Sequence, residues 1–359
     1  MENLDFLKYI PDVKKYSQKK REAIQEIYEK CVDGKMYQPI YTSLEGLLNK
    51  IYIHLTFNCP LRCEYCYADG GIRKSTELSA NVISKIFIEA IEVGFKKIVV
   101  TGGEPLVYHD IDNLFCLMES IDRGKTAFVL RSSFAFQISD EKMEKLCSLF
   151  DEIVVSIDGD EQRHDSIRGK GTFEITTANV KRALKTGQCR VKLSAVMTHD
   201  ELNSEIGEAF KSVASELEVD NYTISAPKPI GRAAKQGSFG FQYREKKDIF
   251  SIPKMKYSCG LGKNIYVEPD GTVFPCYAVC ANEDCLGNLS KESLRTIVED
   301  GRLLKYLNMG VDTVEKCQKC EVRYFCGGIC KAYIKNGEFD CSAKKSHYID
   351  VLKNEKIIQ

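Results

Sequence analysis

Apolar and polar positions follow two alternating periods along residues 50–227 of this chain. Short β-branched runs such as IYIHLTF (51–57) and KKIVVTG (96–102) read as buried strands. Between them lie longer stretches with an apolar residue every three or four positions, such as SANVISKIFIEAIEVG (79–94), which read as amphipathic helices. The pattern predicts six strands, at 51–57, 96–102, 125–132, 152–158, 190–198 and 220–227. It predicts helices between them at 79–94, 110–121, 139–150, 174–187 and 202–217. Ser79 and Ser139 stand as N-caps, and Gly94 follows the end of the first helix. Strands separated one by one by helices pair in parallel with right-handed crossovers, so the class is α/β. An open doubly wound sheet and a closed or partly closed barrel both satisfy the periodicity. In either, ligands bind at the C-terminal ends of the strands.

The flanks differ. Residues 1–48 read as a polar, helical extension. Regularity stops near residue 228, where KPIGRAAKQGSFGFQ is glycine-rich and irregular, and a domain boundary is expected near 230–255. The expected organisation is an extension (1–48), a strand–helix domain (49–240) and a cysteine-rich domain (250–359). In the last of these, NIYVEPDGTVFPC reads as a β-hairpin around a Pro-Asp-Gly turn.

Composition narrows the chemistry. Lys+Arg and Asp+Glu are equal at 51 each, which gives no reason to expect nucleic acid or an anionic membrane as partner. The chain has no apolar run of membrane-spanning length, and the N-terminus has no signal-peptide core, so a cytoplasmic location is expected. Thiols stay reduced there, and 16 cysteines then point to metal or redox chemistry rather than to disulfides.

The strand ends carry candidate chemistry. After the first strand, Cys59, Cys63 and Cys66 are spaced C-x3-C-x2-C. Three thiolates in one loop suit three irons of a [4Fe–4S] cube and leave the fourth iron open for a ligand. Zinc would want a fourth nearby ligand, and the only local histidine, His54, lies inside the strand. After the second strand comes TGGEP (101–105), where Gly102 and Gly103 allow close backbone approach and Glu104 can accept from an ammonium group. A tight turn explains the same residues. At the end of the fourth strand Ser156 and Asp158 share a face, and Arg168 follows in RHDSIRGKGTF (163–173) as a candidate carboxylate clamp. Taken singly these are ordinary loop polarity; on successive strand ends they describe a pocket for a zwitterion with a ribose attached. Farther on, Cys317, Cys320, Cys326 and Cys330 are spaced C-x2-C-x5-C-x3-C. Zinc and iron–sulfur both suit that spacing.

C-x3-C-x2-C after the first strand, with the aromatic Tyr65 before the third cysteine and GGEP after the second strand, resembles the radical S-adenosylmethionine (radical SAM) superfamily over about residues 50–227. The resemblance implies a partial (β/α)6 barrel. It also implies a [4Fe–4S] cluster on Cys59, Cys63 and Cys66 whose open iron binds the amino and carboxylate groups of SAM. One electron then yields methionine and a 5′-deoxyadenosyl radical that abstracts a substrate hydrogen. By the same resemblance Gly102, Gly103 and Glu104 meet the methionyl amine, Ser156 the ribose or methionyl part, and Arg168 the carboxylate, with Tyr65 and Asp158 in the same cofactor site.

The order Cys259, Gly271-x4-Cys276, Cys317, Cys320, Cys326, Cys330, Cys341 resembles the SPASM extension of peptide- and protein-modifying radical SAM enzymes. That implies two auxiliary iron–sulfur clusters. Cys317, Cys320, Cys326 and Cys341 would hold one. Cys259, Cys276 and Cys330 would belong to the other, with Cys280 or Cys285 as a possible fourth ligand. Cys31, Cys116, Cys147 and Cys189 fall in or beside regular elements and read as buried apolar fillers.

The resemblance implies an enzyme with a peptide or protein substrate and an external one-electron donor such as flavodoxin or ferredoxin. Sulfatase maturases of this class carry an acidic residue after the G-x4-C cysteine; here that position is Tyr277. CEYCYADGG looks closer to maturases of cysteine-rich ribosomal peptides, which join cysteine sulfur to a carbon as a thioether. Residues 1–48 are short and helical for the winged-helix leader-binding domain of such enzymes. Alternatives are a sulfatase-maturase-like enzyme, a modifier of cofactor-precursor peptides, a peptide epimerase, and a non-catalytic zinc or iron–sulfur scaffold or electron carrier.

Overall fold

The computed structural model describes residues 17–37, 40–71, 76–236, 260–328, 330 and 341–359. They divide into two compact units. The smaller takes described residues up to 41 and from 308 onward; the larger takes 42–236 and 260–307.

In the smaller unit, α1 (Gln18–Val32) is capped by Ser17, which accepts from Lys20 N. Ile24 and Cys31 of α1 form an apolar core with Val322, Tyr324 and Phe325 and with Tyr348, Val351 and Leu352 of the C-terminal helix Ser342–Asn354. Arg323 crosses this core and is 2% exposed. It pairs with Asp312 (3.2 Å) and donates to the carbonyls of Lys30 (3.0 Å) and Lys35 (2.7 Å), so its buried charge is neutralised and its N–H groups are used.

The larger unit is built as the periodicity predicts. Strands β1 (Lys50–His54), β2 (Lys97–Thr101), β3 (Ala127–Ser132), β4 (Glu152–Ser156), β5 (Arg190–Val196) and β6 (Tyr222–Ser225) pair in parallel in sequence order. Between them run α2 (Ala80–Glu92), α3 (Ile111–Ser120), α4 (Asp140–Leu149), α5 (Glu161–Arg168), α6 (Thr172–Thr186), α7 (His199–Leu202) and α8 (Glu205–Glu216). This is the unclosed (β/α)6 sheet of the radical SAM expectation. Ser79 and Ser139 cap α2 and α4 by accepting from Val82 N and Lys142 N. Alternate strand residues do two jobs. Ile51, Ile53, Ile98, Val100, Phe128, Leu130, Ile153 and Val155 are fully buried. Tyr52, Val99, Val129 and Val154 cluster on the opposite face, the face that carries the site.

Three details depart from the expected pattern. β1 stops at His54 rather than 57, because the chain turns away to carry the cysteine loop. Residues 161–168, expected as loop, form α5, because Asp160 caps it by accepting from Arg163 N; Arg168 becomes its last residue. Residues 202–217 split at Ser204, which caps α8 by accepting from Ile206 N.

The hairpin also behaves unexpectedly. After the short α9 (Gly231–Gln236), β7 (Asn264–Val267) adds to the free edge of β1 in parallel, Ile265 opposite Ile51. β8 (Thr272–Phe274) pairs antiparallel with β7, and β9 (Gly287–Asn288) with β8. The hairpin thus extends the barrel sheet to nine strands. Of the span in which the boundary was expected, 230–255, residues 237–255 lie outside the described residues.

Of the four filler cysteines, Cys31 and Cys147 are buried, at 3% and 1% exposure. Cys189 is half-buried beside Cys147. Cys116 is a correction: it is exposed, because the buried stripe of α3 is Ile111, Leu114, Phe115 and Met118 and position 116 lies off it. Among the described residues no helix is long and apolar enough to cross a membrane.

Candidate active site

The loop after β1 gathers Cys59, Cys63 and Cys66 at the C-terminal end of the sheet. Cys59, Leu61, Cys63 and Ile167 form one apolar cluster, with Tyr65, Cys66 and Ala135 packed on it. Burial pushes the thiol of Cys59 up to about 12 and raises that of Cys63. Such thiols stay protonated until a metal takes the proton's place. Backbone bonds fold the loop: Cys66 N donates to Cys63 O (3.3 Å), Asp69 N to Cys66 O (3.3 Å) and Gly71 N to Phe57 O (3.1 Å). Three thiols in a small apolar pocket suit a cube, which takes each cysteine at a different iron. Among the described residues no three His, Cys, Asp or Glu side chains converge as one mononuclear ion needs.

Gly102 and Gly103 press against that loop. A Cβ on Gly102 would lie 2.8 Å from Thr56 O, and one on Gly103 2.4 Å from Asn58 O. Both contacts are with backbone, so any larger residue would shift the cysteine loop. Gly103 N donates to Thr56 O (2.7 Å) and Glu104 N to Asn58 O (2.9 Å). Glu104 is 1% exposed, and its carboxylate accepts from Ser132 Oγ (2.7 Å), Ser133 N (2.8 Å), Ser133 Oγ (2.6 Å) and Leu106 N (3.2 Å). Burial raises its pKa against the pull of these donors. This carboxylate ties the ends of β2 and β3 together. Ser132 and Ser133 carried no signal in the sequence, since each pairs with a residue about thirty positions away.

The remaining predicted residues form a second group. Asp158 is fully buried; its Oδ2 accepts from Arg168 Nε (2.6 Å) and from the Tyr65 hydroxyl, and its Oδ1 accepts from Val196 N (2.9 Å). Arg168 Nη2 also donates to Tyr65 Oη (2.7 Å). Burial opposes ionisation of Asp158, but the Arg168 guanidinium and the donors from Tyr65 and Val196 outweigh it and hold the carboxyl below its ordinary value. Tyr65 thereby joins the cysteine loop to the end of β4 and to α5. Ser156 is half-buried at the end of β4, opposite Ser194 of β5. Arg131, which the sequence reading passed over, is half-buried and donates to Ser194 Oγ (3.3 Å). No carboxylate pairs with it among the described residues.

An aromatic layer follows Cys66. Tyr67 Oη lies 2.8 Å from His54 Nε2, and Tyr266 Oη of β7 lies 3.2 Å from His54 Nδ1. Burial, with help from Arg131, takes His54 down to about 3, so the ring is neutral and links two hydroxyls. The Tyr277 ring sits 4.8 Å from the Tyr67 ring. Cys276 precedes Tyr277, and Cys280 donates to the carbonyls of Cys276 and Tyr277 (3.3 Å each). Cys285 is exposed and turns instead to Gly287 O (3.5 Å).

In the smaller unit Cys317, Cys320 and Cys326 are half-buried against the apolar core, and Cys326 and Cys341 both raise the Cys320 thiol after burial has done so. Cys330 is half-buried, and Cys259 lies outside the described residues.

Comparison with known proteins agrees with this geometry. Residues 53–213 match the radical SAM superfamily, and residues 259–321 match SPASM, an iron–sulfur cluster-binding domain. The chain thus carries a radical SAM domain and a SPASM segment; it is an enzyme, and the two domains imply SAM, a [4Fe–4S] cluster and auxiliary iron–sulfur clusters. Among curated proteins it is similar to the sporulation killing factor maturation protein SkfB of Bacillus subtilis, with 25% identity over 77% of this chain and 72% of that protein. It is also similar to a GTP 3′,8-cyclase of Clostridium botulinum, with 26% identity over 60% of this chain and 69% of that protein. Among solved structures, Streptococcus suis SuiB bound to precursor peptide SuiA shares the fold with a TM-score of 0.63 at 16% identity, over 89% of this chain and 76% of that one. Native anSMEcpe with bound AdoMet gives 0.61 at 15% identity, over 79% and 90%.

Proposed function

We propose that this enzyme is a peptide or protein maturase that joins side chains, with a cysteine-to-carbon thioether as the leading product. The observation that carries the reading is the single compact unit holding both the Cys59–Cys66 loop and the Cys276–Cys280 turn, whose adjoining residues Tyr67 and Tyr277 bring their rings to 4.8 Å. Its likeness to SkfB and to peptide-bound SuiB supports a peptide substrate.

Joining a cysteine sulfur to a carbon removes one hydrogen from each. The carbon's hydrogen ends in 5′-deoxyadenosine, the thiol proton goes to solvent, and one electron must leave the product. SAM and the cluster held by Cys59, Cys63 and Cys66 supply the carbon radical when bound. Cys276 and Cys280, with Cys259 and Cys330, are the residues to hold a group able to take the departing electron. Gly102 and Gly103 fix the loop, and Tyr65, Asp158 and Arg168 brace it against β4. Tyr277, half-buried against the Tyr67 ring, stands where sulfatase maturases carry an acid. Cys317, Cys320, Cys326 and Cys341 are the proposed ligands of the other auxiliary cluster. A flavodoxin or ferredoxin is the proposed electron source.

The reading is tested by incubating anaerobically reconstituted enzyme with SAM, reductant and a cysteine-bearing peptide encoded beside it. The expected outcome is 5′-deoxyadenosine together with a peptide lighter by two hydrogens. A peptide of unchanged mass that has taken up solvent deuterium would make the enzyme an epimerase. No peptide-dependent 5′-deoxyadenosine would end the maturase reading.

The turn geometry also separates Cys280 from Cys285. The Cys280→Ala variant is expected to lose part of its iron and sulfide and to change the Mössbauer spectrum, whereas Cys285→Ala keeps both. Identical spectra for the two variants would leave Cys280 without a ligand role.

A further inference from the structure

We propose that Arg232 is a positioning residue for the cluster-bearing loop, and that its guanidinium is a fixed positive charge that makes that cluster easier to reduce. The inference rests on the assignment of Cys59, Cys63 and Cys66 as ligands. Four bonds run from this one residue into the loop. Arg232 N donates to Cys66 O (3.0 Å), Nε to Cys63 O (2.8 Å), and Nη1 to both Gly70 O (2.7 Å) and Asp69 Oδ1 (2.9 Å). The side chain is 11% exposed. Its main-chain N–H and its guanidinium each take the carbonyl of a proposed ligand cysteine, so the residue fixes where Cys66 and Cys63 hold their thiols.

The backbone on both sides is shaped for this contact. Asp69 takes a left-handed conformation (φ 46°), uncommon outside glycine, and its carboxylate is held by Arg232 and by Lys235 (3.0 Å). Gly231 is also left-handed (φ 57°), and a Cβ there would meet the carbonyls of Cys66 and Tyr67 at 2.4 Å. Only glycine at 231 lets the chain approach closely enough to deliver Arg232. A cation bonded to the loop that carries the ligand cysteines favours the more negative, reduced cluster, since net charge and hydrogen bonding around a cluster set its potential.

The experiment uses the full-length reconstituted chain and the electron paramagnetic resonance signal that changes on adding SAM, which reports this cluster apart from the auxiliary ones. Arg232→Met is expected to lower the share of chains giving that signal by about tenfold or more. The midpoint potential of what remains becomes more negative. Arg232→Lys keeps the charge and not the fork, so its midpoint stays near wild type while loading falls. Asp69→Asn removes the opposing charge and moves the midpoint the other way. Wild-type loading and midpoint in Arg232→Met would overturn the proposal. Should Arg232→Met not fold by circular dichroism, an unshifted midpoint in Asp69→Asn would overturn it instead. A wild-type chain with no SAM-responsive signal would overturn the ligand assignment, and the proposal with it.

Discussion

Replacing Cys59, Cys63 and Cys66 together by alanine is expected to reduce 5′-deoxyadenosine formation by at least about a thousandfold, because they are the proposed ligands of the cluster whose open iron binds SAM. The same variant should keep its auxiliary clusters, with iron falling from about twelve to about eight per chain. Both readouts matter. Loss of all iron would mean that the variant fails to fold or to load, and SAM cleavage that survived would place the reactive cluster elsewhere. The separation is expected because, among the described residues, the remaining proposed ligands are not part of the apolar cluster formed by Cys59, Leu61, Cys63 and Ile167. Three alanines there trade thiols for smaller apolar groups, and the one side-chain bond given up is that from Leu61 N to Cys59 Sγ (3.4 Å).

The second large effect falls on Asp158 and Arg168. Asp158→Ala leaves a guanidinium buried without its carboxylate, and breaking such a pair costs about 3–5 kcal/mol. Calorimetry should show the barrel transition roughly 10 °C lower. The double variant Asp158→Asn with Arg168→Met is expected to lose less than the sum of its parts, since it leaves no lone charge. The loss should depend on pH in one direction. The folded carboxyl titrates below its unfolded value, so its stabilisation is complete above the unfolded pKa, near 4, and fades as pH falls through the folded one. The gap between wild type and Asp158→Ala should therefore narrow on acidification below about pH 4. A gap that stayed constant, or widened, would show that Arg168 does not govern this carboxyl. Because Tyr65 shares both partners, Asp158→Ala should also slow cluster loading.

Most of the fold was legible because it rests on local signals. Six strands and the helices between them announce themselves through periods of 2 and 3.6, and Ser79 and Ser139 cap helices within three residues of themselves. Asp160 is also a local cap, yet α5 was missed because its sequence, EQRHDSIR, has hardly any apolar face to betray a helix. The cysteine loop was legible for a different reason. Three thiols spaced within eight residues are a chemical statement that needs no partner from elsewhere.

The pairings were not legible. Glu104 looked available for a ligand's ammonium group, and Arg168 for its carboxylate. The structure adds neighbours that the sequence did not show, Ser132 and Ser133 for Glu104 and Asp158 and Tyr65 for Arg168. No spacing rule foretells a hydrogen bond between residues 103 positions apart, as Arg168 and Tyr65 are. Arg232 lay in a stretch read as irregular; its four bonds reach back more than 160 positions to the loop.

The sequence by itself thus determined the strand–helix succession and the three-cysteine loop. Each of these is written in residues close together along the chain. Only the tertiary structure decided that the hairpin joins the barrel sheet at β1, that Cys280 rather than Cys285 turns toward Cys276, and that Arg232 holds the loop. Those choices depend on which distant backbones come within hydrogen-bonding reach, and that is fixed by burial of the whole core rather than by any local run of residues.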